Sequence, residues 1–156
     1  MEWAALITWI LTAGGGAVML AIWLGNGGME QATSAGGNPL IRPPLILGHF
    51  GLAATGLVLW IIYVASDSDA LAWIAFILLL IVAVLGFTMF AIWLRQRNSA
   101  APAGTAAPAD TTPPPAAGSS AGGAEQRFPV AIVGAHGVLA ATTLVLVFLA
   151  AIGVGS

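Results

Sequence analysis

Four uncharged apolar stretches, each close to the roughly 20 residues that an α-helix needs to cross a hydrocarbon core, constrain this chain more than any other feature. They run over 3–24, 44–65, 70–94 and 129–152, and all six acidic residues and all four basic residues lie outside them. A soluble domain carries about 25% charged residues to wet its surface, whereas this chain of 156 residues is 59% hydrophobic and 6% charged. Lipid is the solvent that such a composition suits, and the lipid bilayer is the first partner it implies.

The remaining composition excludes whole classes of chemistry. The four basic residues are all Arg and the net charge is −2, so there is no basic field to hold nucleic-acid phosphates. Cys is absent, which removes disulfides, thiolate catalysis, iron–sulfur clusters and Cys-based zinc sites. No nucleophile elbow, phosphate loop or pair of intramembrane carboxylates is present. Metal chemistry is left to His and Met, and the chain has two His, His49 and His136.

The expected organisation is one membrane domain. Residues 1–97 hold the first three spans, 98–127 form a disordered cytoplasmic linker rich in Ala, Pro and Gly, and 128–156 hold the fourth span. The Ser66-Asp67-Ser68-Asp69 turn makes spans two and three antiparallel neighbours. Arg42, Arg95, Arg97 and Arg127 all fall in the first and third connections. The positive-inside rule therefore makes those connections cytoplasmic and puts both termini and the Asp67/Asp69 turn outside, in a multi-pass cell-membrane protein. Trp3, Trp23, Trp73 and Trp93 read as interfacial belts. Thr55 and Thr142 are expected to bond carbonyls of their own helices.

The chain also matches itself. Shifted by 70, span one meets span three, with Trp3, Gly16, Met19 and Trp23 falling on Trp73, Gly86, Met89 and Trp93. Shifted by 87, span two meets span four, and His49 falls on His136. The expected fold is thus all-α: an integral membrane four-helix bundle of two tandem two-helix repeats, with a pseudo-two-fold axis along the membrane normal. That axis sets the two His at one depth, facing each other, roughly 8 to 10 Å inside the cytoplasmic boundary.

An ionisable side chain in hydrocarbon costs a few kcal/mol and turns inward toward a partner. Two facing imidazoles suit a haem b held between axial nitrogens, one per repeat. Gly48, Gly51, Gly134 and Gly137 beside the His, with Gly16 and Gly86 on the other helices, are candidates to leave room for the ring. Arg42 and Arg127 at the cytoplasmic mouth, with Arg95 and Arg97 nearby, are candidates for the propionates. A second metal reading adds Met19 and Met89 to the His pair, a donor set suited to copper. A third is a non-catalytic accessory subunit of a respiratory-type membrane complex, in which each imidazole serves only as hydrogen-bonding glue between helices.

His on spans two and four, with Gly16 and Gly86 on spans one and three, resembles the four-helix bis-His haem core of membrane b-type cytochromes. The resemblance implies electron relay between quinone or a membrane redox partner and an acceptor near the cytoplasmic side. It leaves open whether the chain is an oxidoreductase or an electron-transfer component. The family plan has a second His farther along each ligand helix, where this chain has Tyr63 and Ala150, so the resemblance implies a single haem tier.

Overall fold

Helix is the only regular structure that the described residues adopt, because each apolar stretch satisfies its backbone hydrogen bonds internally. The computed structural model describes residues 1–34, 39–100 and 123–154. Its elements are α1 (Glu2–Gly25), α2 (Gly28–Thr33), α3 (Pro43–Ser66), α4 (Asp69–Ala100), a 3-10 turn (Ala124–Arg127) and α5 (Val130–Ala151). The four long helices are each long and apolar enough to cross a membrane.

Local chemistry sets the helix ends. Pro43 and Pro44 open α3, where a missing N–H costs nothing. Asp67 closes that helix in the left-handed region, and its N–H bonds the Tyr63 carbonyl. With Asp69 already in α4, α3 and α4 must run antiparallel. Asn26 caps α1 by donating from its side chain to the Ile22 carbonyl at 2.6 Å. Gly27, at φ 75, then leads into α2, a short helix between α1 and the next long helix.

Around the bundle the helices follow in the order α1, α3, α4, α5, with the broadest interfaces between α3 and α4 and between α1 and α5. The His-bearing helices α3 and α5 therefore stand on one diagonal, and α1 and α4 on the other. One end of the bundle carries Glu2, Asp67 and Asp69, and the other carries Arg42, Arg95, Arg97 and Arg127. The linker expected over 98–127 contracts at both ends, because α4 continues through Ala100 and residues 124–127 fold against the bundle; residues 101–122 lie outside the described residues.

The acidic half holds the main packed core, a cluster that includes Ala5, Trp9, Trp60, Tyr63, Leu79 and Val147. Trp60 stacks at 4.7 Å from Tyr63 and 6.2 Å from Trp9, and its indole N–H reaches the Glu2 carbonyl. The outer surface is apolar as well: Phe87, Val138 and Val84 are 74%, 68% and 66% exposed. Large apolar side chains turned outward on all four long helices are what an apolar solvent permits and water penalises.

Gly56 lets the Trp9 ring lie on the α3 backbone, since a Cβ there would stand 2.9 Å from the indole. Gly56→Val should lower stability in detergent by about 1–3 kcal/mol through overpacking. Gly14→Ala, where nothing lies within 4 Å, should be neutral or stabilising by up to about 1 kcal/mol. Thermal or denaturant unfolding followed by circular dichroism reads both; equal effects at the two positions would contradict the packing described.

Candidate functional site

The two imidazoles meet inside the bundle. Their ring centroids lie 6.4 Å apart with the planes inclined at 60°. α3 brings in His49 and α5 brings in His136 from opposite corners. Each ring leans against one helix of the other diagonal. His49 Nδ1 stands 3.0 Å from the Val82 carbonyl of α4, and His136 Nδ1 stands 2.9 Å from the Thr12 carbonyl of α1. Val82 and Thr12 are themselves 70 positions apart, the same spacing that separates Gly86 from Gly16.

These contacts assign the tautomer. A carbonyl oxygen only accepts, so in each neutral ring Nδ1 carries the proton and Nε2 carries the lone pair. That is the arrangement of a metal-ligating His, whose second nitrogen is oriented by a backbone or carboxylate acceptor.

The glycines on α1 and α4 make this approach possible. In an α-helix the carbonyls of Thr12 and Val82 point along the axis toward residues 16 and 86, and side chains there would cover them. A Cβ on Gly86 would lie 3.1 Å from His49 Cε1, one on Gly16 3.2 Å from His136 Cε1, and one on Gly15 3.5 Å from His136 Nδ1. Gly15, adjacent to a singled-out glycine, is a contact that sequence matching passes over, because its shifted counterpart is Leu85.

The glycines flanking the His behave differently. Gly51, Gly134 and Gly137 are exposed, and a Cβ on any of these or on Gly48 would meet no atom of another helix within 4 Å. One or two positions along a helix rotate a residue by about 100° or 200°, away from the face that carries the His. The structure thus brings Gly15, Gly16 and Gly86 to the imidazoles and leaves Gly48, Gly51, Gly134 and Gly137 apart from them.

Met19 and Met89 are half-buried and sit three residues beyond Gly16 and Gly86, which is about 4.5 Å nearer the Arg end along the axis. Among the described residues no three His, Asp or Glu side chains gather as a metal-binding group. Arg42 and Arg127 are exposed at the rim, as are Arg95 and Arg97. Arg42 borders an open cleft of about 480 Å³ with Met29, Thr33 and Pro44, and Arg97 lies over the Trp93 ring at 4.9 Å.

Polar side chains near the pair are satisfied locally. Thr55 and Thr142 donate to the Gly51 and Val138 carbonyls, as expected. Thr12 donates to Thr8, Thr143 donates to Leu139, and the two hydroxyls meet at 3.2 Å across the α1–α5 interface.

Trp3 and Trp73 are exposed, but Trp23 and Trp93 turn inward. The Trp23 indole donates to Glu125 Oε1 at 3.0 Å, and the Trp93 indole donates to the Glu125 backbone carbonyl at 3.2 Å. Glu125 is 1% exposed and its Oε2 has no hydrogen-bond partner. Nothing in the sequence pattern distinguishes this acid from the other residues of the linker.

Gly16→Val and Gly86→Val should each push an imidazole off its carbonyl and cost about 1–3 kcal/mol by overpacking. Histidine ring ¹⁵N spectra of the detergent-solubilised protein should show the Nδ1 signal of one ring shifting in each variant. Gly137→Ala should leave both rings unchanged. Unchanged rings in both valine variants would refute the contact. Comparison of the chain with protein-family models, with curated proteins and with solved structures finds no match.

Proposed function

We propose that this protein is a membrane-spanning b-type cytochrome, built from two tandem helical hairpins, that holds one haem between His49 and His136 and relays electrons. The observation that carries the reading is the imidazole pair itself. Two imidazoles that held one metal ion between them, through bonds of about 2 Å and with roughly 1 Å from each nitrogen to its ring centre, would stand about 6 Å apart between centroids. The pair stands at 6.4 Å, with both Nδ1 atoms committed to carbonyls and both Nε2 lone pairs free for an iron.

A haem supplies a one-electron couple, whose potential its two axial imidazoles and their hydrogen bonds tune. The chain's own part is to fix both rings, to exclude water with an apolar shell, and to offer Arg42 and Arg127 at the rim for anionic ring substituents. The cluster containing Tyr63 and Ala150 packs the acidic half closed, which fits a single tier.

The Arg distribution supports an orientation with the Arg end in the cytoplasm. His49 and His136 would then hold the group near that face, within reach of quinone or a membrane redox partner. The repeat spacing of 70 between the two accepting carbonyls supports a duplicated origin for the two halves.

Visible spectra of the protein purified in detergent after haem-supplemented expression test the reading. The reduced form should show a sharp α-band, absent from both His49→Ala and His136→Ala. A colourless protein would overturn it. Stoichiometric copper lost in Met19→Leu would replace it with the copper reading, and a metal-free protein in a stable complex would replace it with the accessory-subunit reading.

A further inference from the structure

Helix α5 carries His136 and begins 30 positions after α4 ends at Ala100, so no tight turn sets its register as the Asp67 turn sets that of α4 against α3. In an apolar solvent hydrogen bonds between helices add to packing in deciding how helices align.

Those contacts lie at two levels. In the middle, His136 Nδ1 meets the Thr12 carbonyl, and the Thr143 and Thr12 hydroxyls lie 3.2 Å apart. At the Arg end, Glu125 stands five residues before the first residue of α5 and is held from three sides. Trp23 of α1 donates to its carboxylate, Trp93 of α4 donates to its carbonyl, and Gln31 of α2 accepts from the neighbouring Ala124 N–H. Gly28 is required behind this clasp, since a Cβ there would collide with the Trp23 indole.

We infer that Glu125 is a positioning residue, and that its clasp between Trp23 and Trp93 sets the register of α5 and thereby brings His136 opposite His49. The two indoles belong to the helices of the other diagonal, so one residue ties α5 to both at once. The consequence for a cofactor rests on the haem reading; the register itself does not.

The absence of Cys allows a test in the full chain that needs no cofactor. Thr12→Cys with Thr143→Cys, whose native hydroxyls stand 3.2 Å apart, should form a disulfide in near-complete yield under mild oxidation. Glu125→Ala in that background should reduce the yield about tenfold, the fold-change expected for loss of one buried hydrogen bond. Slipped cross-links, read by pairing Thr12→Cys with Leu139→Cys or with Val147→Cys, should rise in its place.

Glu125→Gln retains an acceptor for Trp23 and should restore the native cross-link, whereas a chain that had merely lost its fold would form none of the three. Native cross-linking in Glu125→Ala, or a failure of Glu125→Gln to rescue, would overturn the inference. A native cross-link in a protein that takes up no haem would refute the haem reading and leave the inference standing.

Discussion

A polar group inside an apolar bundle has no water to fall back on, and the arrangement of this protein follows from where each such group finds its partner. An unmade hydrogen bond there costs the full desolvation of the group, about 1–3 kcal/mol. Most hydroxyls meet the requirement within their own helix, as Thr55 and Thr142 do on Gly51 and Val138. The imidazoles reach outward instead, His49 to α4 and His136 to α1. Each of these bonds therefore fixes a ring and joins two helices in one contact.

Glycine makes those bonds possible where they occur. A carbonyl inside a helix already accepts from the N–H four residues on, and a bulky donor from another helix approaches closely where the side chain above it is absent. Gly16 and Gly86 provide that absence on α1 and α4, and Gly56 provides it for the Trp9 ring on α3. The bundle thus divides into an acidic half closed by aromatic packing and an Arg half in which two imidazoles face one another.

Much of this is legible in the sequence because it follows from helical periodicity. Four charge-free stretches mark four helices, and the shifted self-match places His49 and His136 at corresponding depth. Gly16 and Gly86 are legible for the same reason. Gly48, Gly51, Gly134 and Gly137 are close to the His along the chain, and helical rotation turns them away from the face that carries the imidazoles. Trp23 and Trp93 look like surface belts because an indole at a helix end is amphipathic. What draws them inward is Glu125, a residue about 100 positions from Trp23 with no repeat partner, so no periodicity can reveal it.

The sequence by itself determined the helices, their approximate ends, the side of the bundle on which the charges gather and the pairing of the two His by level. Those properties belong to positions along a helix, and rise and rotation per residue fix them without reference to a neighbour. Only the tertiary structure decided which diagonal the His occupy, which ring nitrogen carries the proton, which glycines meet an imidazole and how Glu125 anchors the start of α5. Each of these depends on the rotation and approach of one helix against another, and side chains far apart in the chain settle that when they compete for the few available hydrogen-bond partners.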